Sequence, residues 1–326
     1  MRIVRPVVID QTRPVEQKGF KSAAIYDFTK AHDAKIVYGT KDIDEGSEDL
    51  IKLASAFFAS GGTSLLVAGS ESSSESDVLS ALNELAKEHD FYALTAVVKK
   101  ANQKAYYAEI EKFVNGNEKL AVLEINGTES EVKEAKGESN SDRVVYYANS
   151  KDEQDGKAAA VLGACIGKTE GSITWGNQVV TGTGASGYEP ADEAKLMEDN
   201  INYITKEMGR IFSQYGRTTS GSNADITRSK DWLCARASEE LTALLLNMGK
   251  IMYTDRGLAS ISSTLNTVGA QAVAMGMLDR FYAEVPLVKD IPFNDKANRV
   301  LKGVKFNCWL TGAVESIDLE IPITLA

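Results

Sequence analysis

The chain has 326 residues, of which 43% are hydrophobic and 25% charged, a composition typical of a globular protein of about two domains. Its net charge of −10 opposes contact with a phosphate backbone, so direct nucleic-acid binding is not expected. The cysteines follow no metal-ligand spacing and indicate a reducing compartment. No signal peptide and no apolar run of about 18 residues is recognised, so the sequence predicts neither export nor membrane insertion.

Residues 20–187 predict an α/β domain. Short apolar runs alternate with helical patterns, and helices are expected over residues 48–60, 76–88 and 103–114. Strands are expected at residues 36–38, 64–68, 91–98, 120–125 and 143–147. Such alternation is typical of a mainly parallel sheet covered on both faces. The glycine-rich stretch at 167–187 reads as an exposed connection.

Residues 188–313 predict an α+β domain. A helix is expected over 191–206 and a strand over 210–215, followed by two long helices with apolar residues every three or four positions. Thr254 or Asp255 is the expected N-cap of the second long helix. Strands are expected at 282–288 and 304–310. The residues expected to anchor the core are Trp232, Leu241 and Leu265.

The two ends predict extended arms, at residues 1–19 and 314–326. Apolar and polar residues alternate to the end of the sequence, which is the pattern of a strand with one buried face. Such a strand pairs either within its own subunit or with another chain. An arm that buries a few hundred Å² gains several kcal/mol before entropy, at about 25 cal/mol per Å².

The sequence contains no recognisable catalytic, nucleotide-binding or metal-binding motif, so an enzyme, a cofactor and a metal site are not expected. His32 and His89 lie in no catalytic or metal-binding spacing. The glycine-rich residues 59–63, 67–71 and 181–187 lack the spacing of a nucleotide-binding loop. The acidic residues between 42 and 49 do not follow the spacing of a calcium loop. An α/β enzyme that binds a nucleotide or a metal stays the alternative, because strand and helix alternate.

The C-terminal part resembles the tail sheath proteins of contractile phages, a family also found in phage-tail-like bacteriocins and injection systems. The resemblance lies in residues 224–228 (ADITR), 231–233 (DWL) with Arg236, 250–257 (KIMYTDRG), 290–299 (DIPFNDKANR), 303–306 (GVKF) and 310–313 (LTGA). Within it, Arg228 and Arg236 are expected to be salt-bridged surface residues. Another tail component, such as a terminator or baseplate protein, is a further alternative function.

The resemblance implies a structural role. Sheath subunits stack as six-fold rings around a tail tube and contract to drive the tube through the host envelope during genome ejection. The implied partners are other copies of the chain, the tail tube protein, and the baseplate and tail terminator proteins. The implied location is the virion tail, assembled in the host bacterial cytoplasm. Terminal arms of the family add strands to a neighbouring subunit, which here implies Ile3, Val4, Val7, Val8, Ile9, Ile317, Leu319, Ile321, Ile323 and Leu325.

Overall fold

The structure is a computed structural model that describes residues 17–71 and 74–316. These residues form two compact units. The larger unit comprises residues 19–231 and 312–316, and the smaller one residues 17–18 and 232–311.

A six-stranded sheet forms the centre of the larger unit. Its strands are β1 (Ala23–Asp27), β2 (His32–Val37), β3 (Leu65–Gly69), β4 (Ala93–Val97), β5 (Leu120–Asn126) and β6 (Val144–Asn149). They lie in the order β2-β3-β1-β4-β5-β6, and every pair is parallel except β2 with β3. The α/β fold predicted from the alternation of strands and helices is confirmed.

Helices cover both faces of this sheet. They are α1 (Glu48–Ala59), α2 (Glu75–Glu88), α3 (Gln103–Gly116), α4 (Glu129–Lys136) and α5 (Lys157–Ile166). The side chains of α2, α3 and α4 share one core with alternate sheet residues such as Leu123 and Ile125. Since successive strand residues point to opposite faces, Glu124 lies on the other face, where α1 and α5 pack together.

Gly163 sets how closely α5 approaches α1. A Cβ atom at this position would lie 2.1 Å from the carbonyl oxygen of Phe57, well inside van der Waals contact. The absence of a side chain therefore lets the two backbones touch.

The larger unit continues past residue 188 with α6 (Pro190–Glu198) and a hairpin of β7 (Tyr203–Glu207) and β8 (Arg210–Gln214). The helix predicted over 191–206 is therefore wrong beyond Glu198. The backbone of Asn202 bonds to β6, accepting from the Ala148 N–H at 2.8 Å and donating to the Tyr146 carbonyl at 2.9 Å. These bonds attach the segment to the sheet, so the predicted division at 187/188 falls inside one compact unit.

The glycine-rich stretch 167–187 is packed in part rather than exposed throughout. Trp175 and Ser186 are both only 1% exposed. The Ser186 hydroxyl donates to the carbonyl of Ala148, and its backbone carbonyl accepts from the Ser150 N–H at 3.0 Å. The loop is therefore fastened to the end of β6, which its composition alone does not indicate.

The smaller unit contains α8 (Asp255–Ala274), β9 (Leu278–Glu284), a short α9 (Phe293–Ala297) and β10 (Lys305–Leu310), and α7 (Ala224–Met248) runs into it from the larger unit. The strands β9 and β10 form an antiparallel ribbon, and α8 packs on β9. The Thr254 side chain caps α8, accepting from the Gly257 N–H at 3.1 Å. The strand predicted over 282–288 is found at Leu278–Glu284. It ends before Pro286, which has no N–H to donate.

Candidate functional site

The first three turns of α7 carry the first part of the sequence signature, residues 224–233, and an ion pair and a hydrogen bond hold them to the sheet. Asp231 accepts two parallel hydrogen bonds from the Arg143 guanidinium, both 2.7 Å long. It also accepts from the Tyr92 hydroxyl at 2.8 Å. Burial and the neighbouring Asp231 carboxylate raise the pKa of Tyr92 well above its usual range. A two-pronged pair of this kind fixes orientation as well as distance, so the start of α7 is locked to the sheet.

Arg228 is buried, and its predicted place on the surface is wrong. Only 1% of the residue is exposed. Its guanidinium donates to the carbonyls of Cys165 and Ile166, at 3.2 and 2.7 Å, where α5 ends. It also reaches the Phe20 carbonyl at 2.9 Å and the Glu170 carboxylate at 3.3 Å. The cation caps the C-terminus of α5, where carbonyl groups lack partners and the helix dipole favours positive charge.

The three expected core anchors differ in burial. Trp232 and Leu265 are 5% and 2% exposed, whereas Leu241 is half-buried. Further along α7, Leu245 and Leu246 are 60% and 71% exposed. The apolar stripe of α7 is thus covered near its start and open near its end.

The arm residues predicted to exchange strands lie outside the described residues. They are Ile3, Val4, Val7, Val8, Ile9, Ile317, Leu319, Ile321, Ile323 and Leu325. The chain next to each arm is described. Lys18 bonds to Glu239 and Arg236 of α7, and the Glu315 carbonyl accepts from the Asn177 side chain at 2.9 Å.

Polar side chains fill the carboxyl ends of the parallel strands, the place where open α/β sheets usually bind ligands. The Gln154 side chain bonds to both the Ala96 carbonyl and the Val98 N–H, each at 3.0 Å, as a neighbouring strand would. The Asn126 and Asn149 side chains donate to the Glu153 carbonyl at 2.9 and 3.0 Å. Residues 151–157 therefore lie across the ends of β4, β5 and β6.

Glu124 occupies the position of an anion at the N-terminus of α5. Its carboxylate accepts from the backbone N–H groups of Asp155 and Lys157 at 2.6 and 2.7 Å, and from the Asn149 side chain at 2.8 Å. Helix N-termini bind phosphates in the same way. Burial raises the pKa of Glu124, against the lowering effect of these donors. The protein thus supplies its own anion where a nucleotide phosphate would bind in a related fold.

Lys157 completes the charge balance around this carboxylate. Its ammonium group is buried and lies 3.3 Å from Asp155 Oδ2 and 3.1 Å from the Gly184 carbonyl. Burial lowers the pKa of Lys157, and Glu124 and Asp155 oppose that shift. The glycine-rich residues 181–187 therefore cover an internal lysine.

Two other sequence candidates also have structural partners. Ser70, at the end of β3, donates its N–H to the Asp27 carbonyl at 2.9 Å. In the acidic cluster, Asp44 pairs with Lys35 at 2.7 Å. Within residues 17–71 and 74–316, no three His, Cys, Asp or Glu side chains are grouped to hold a metal ion. Over the same residues, no helix combines the length and apolar character needed to cross a bilayer.

The chain is similar to known proteins in structure but not detectably in sequence. The sequence matches no family model and no curated protein. The structure is similar to a chain of the anti-feeding prophage baseplate, 6-fold symmetrised, with 13% identity, 100% coverage of both chains and a TM-score of 0.71. It is also similar to the helical sheath of the anti-feeding prophage in the contracted state, with 13% identity, 99% coverage of both chains and a TM-score of 0.70.

A third similar structure is the PVC sheath complex of an extracellular contractile injection system in the contracted state. It shares 12% identity, with coverage of 99% of this chain and 98% of that one, and a TM-score of 0.70. The chain has a sheath-like fold. The likeness spans both compact units, so it includes the signature helix α7 as well as the α/β sheet.

Sequence reasoning missed two sets of residues in this region. The first is the strand-end set of Glu124, Asn126, Asn149 and Gln154, for which the signal was one carboxylate inside the apolar run 120–126 (LAVLEIN). The second is Glu239, which stands three residues after Arg236 on the same helix. That i,i+3 spacing of opposite charges indicates a pair, but not that the pair holds Lys18.

Proposed function

We propose that this chain is the structural subunit of a contractile tail sheath. In this proposal its copies form stacked hexameric rings around a tail tube and contract to drive the tube through a host cell envelope. Its partners are other copies of itself, the tail tube protein, and the baseplate and terminator proteins. The particle tail is assembled in the bacterial cytoplasm, and the subunit has no catalytic role.

One observation carries the proposal, the likeness over at least 98% of both chains to sheath structures at a TM-score of 0.70. Two further features support it. The strand-end crevice is filled by Glu124 and residues 151–157, which leaves the enzymatic alternative without comparable support. The exposed leucines at the end of α7 suit a chain that is covered by neighbours in an assembly.

Negative-stain electron microscopy of the purified chain tests the proposal. We expect rings or hollow tubes that lengthen with protein concentration, because sheath subunits polymerise with their own kind. Deletion of residues 316–326 should leave a folded body by circular dichroism and abolish the polymers. A chain that stays monomeric across salt and protein concentration contradicts the proposal, and tubes formed by the truncated chain contradict the C-terminal arm.

A baseplate subunit is the second candidate, because one of the similar structures is described as a baseplate. The same micrographs separate the two functions. A sheath subunit gives open-ended polymers from one chain, whereas a baseplate subunit gives closed rings or requires another component.

A further inference from the structure

Helix α7 holds the backbone of Lys18 at both of its polar groups. The Glu239 carboxylate accepts from the Lys18 N–H at 2.7 Å, and the Arg236 guanidinium donates to the Lys18 carbonyl at 3.0 Å. Arg236 and Glu239 are also paired with each other. The three residues therefore form a closed ring of hydrogen bonds, which we call the Lys18 clamp.

The hydrogen bonds of the clamp are expected to be strong. Its two side chains stand at i and i+3 on α7 and are only 14% and 13% exposed, so solvent screens them little. Every bond in the ring involves a charged group, and such bonds are about twice as strong as neutral ones. The Arg236 guanidinium also lies 5.8 Å from the centre of the Trp232 ring, which limits its movement.

The clamp binds one residue through both its backbone donor and its backbone acceptor, which belong to two successive peptide groups. A neighbouring β-strand satisfies an extended backbone in the same way, so the side-chain pair replaces one rung of a ladder. The contact fixes the chain at residue 18, immediately before the larger unit begins at residue 19.

We propose that Arg236 and Glu239 are positioning residues that anchor the N-terminal arm to the body of the subunit. This inference rests on the proposed function, in which residues 3–9 pair with a neighbouring subunit. A polar stretch of residues separates those positions from residue 18. Fixing the chain at residue 18 shortens the flexible linker and raises the effective concentration of the arm near its partner. Force applied to the arm is then transmitted to α7.

The test compares Arg236→Ala, Glu239→Ala and the double variant with the wild-type chain. We expect each single variant to lose the long polymers while its body keeps the wild-type melting temperature. The double variant should be no worse than either single one, because opening the ring once releases the arm. Arg236→Lys keeps the charge without the planar fork and should restore polymers only in part.

A matched pair at residue 18 isolates the backbone contact. Lys18→Ala and Lys18→Pro lose the same side chain, but only the proline variant also loses the N–H that Glu239 accepts. We expect the alanine variant to polymerise and the proline variant to fail. Equal polymers from both would overturn the clamp.

Hydrogen exchange of the Lys18 amide tests the clamp without requiring assembly. We expect protection in the wild-type chain and exchange about tenfold faster in Glu239→Ala, as the loss of a charge-assisted bond implies. A monomeric wild-type chain with a protected Lys18 amide would refute the sheath function and leave the contact intact. Equal exchange of the Lys18 amide in these two chains overturns the inference. Wild-type polymers from both Arg236→Ala and Glu239→Ala overturn it as well.

Discussion

Arg228 shows how one side chain joins distant parts of the larger unit. Its contacts reach Phe20, the end of α5 at Cys165 and Ile166, and Glu170. Burial lowers the pKa of its guanidinium, with the Glu170 carboxylate opposing the shift. Backbone carbonyls surround the cation, and each would lose a charged donor if it were removed.

Arg228→Met should therefore destabilise the larger unit by about 3–5 kcal/mol, the usual cost of breaking a buried charged network. Arg228→Lys keeps the charge but offers fewer donors, and should cost about half as much. Urea denaturation measures both values. Lys230→Met, at an exposed position on the same helix, is the control and should change stability by less than about 0.5 kcal/mol. A stable Arg228→Met variant would show that the carbonyls are satisfied without the cation.

Asp225 gives the larger unit a dependence on pH. Burial, and then the charge of Glu315, raise the pKa of its carboxyl to about 6. One carboxylate oxygen is buried and has no hydrogen-bond partner among the described residues. Because the folded pKa lies above the unfolded one, this carboxyl stabilises the fold at low pH, and its contribution is lost as the pH rises through about 6.

Asp225→Asn carries no charge at any pH, so it should be more stable than the wild type at pH 7.5 and similar to it near pH 4. Denaturation curves taken across this range measure the difference between the two chains. Asp33→Asn, at an exposed position of β2, serves as the control. Curves that stay parallel across pH 6 would exclude a buried titrating carboxyl at residue 225.

At the scale of elements, the contact of α1 with α5 depends on one missing side chain. Gly163→Ala should lower the free energy of unfolding by about 2 kcal/mol or more. The new methyl group meets a backbone carbonyl oxygen, which cannot rotate away. Gly116→Ala is the matched variant, at the end of α3 with no atom within 4 Å of the new Cβ. It should be neutral or gain up to about 1 kcal/mol. Thermal melts of both variants measure the effect, and equal costs would contradict the close contact.

Elements with local signals were predictable from the sequence. Helices α1 and α2 show helical spacing of Leu50, Leu53, Val78 and Leu82, and the Thr254 cap of α8 is a local motif. The strand β7 was missed because the partners that hold it extended lie outside residues 191–206. It pairs with β8 in a hairpin, and Asn202 just before it bonds to β6, more than fifty residues earlier. No pattern within residues 191–206 reveals those partners.

The candidate site was predictable only where its signals are local in sequence. The signature marked α7, yet it placed Arg228 on the surface, since the carbonyl and carboxylate groups that surround it are 58 residues or more away in sequence. The strand-end residues were missed because single Asn and Gln side chains at strand ends carry no motif. The partners of these side chains lie far away along the chain, so no local pattern indicates them.

At the scale of the whole molecule, the two proposed arms start from different units. The N-terminal arm leaves from residues 17–18, which belong to the smaller unit, and the C-terminal arm from residues 312–316, which belong to the larger one. If the sheath proposal holds, tension on the first arm enters through Arg236 and Glu239, and tension on the second through Asn177. Each neighbour would then pull on a separate compact unit.

Because Glu124 is part of the chain, it has a consequence for how the N-terminus of α5 responds to different solutions. A carboxylate attached to β5 binds the N-terminus of α5 at a fixed effective concentration, whatever solutes are present. A phosphate ligand at that position would dissociate when the protein is diluted or moved to another medium. The N-terminus of α5 therefore keeps its anionic partner whatever the concentration of dissolved phosphates.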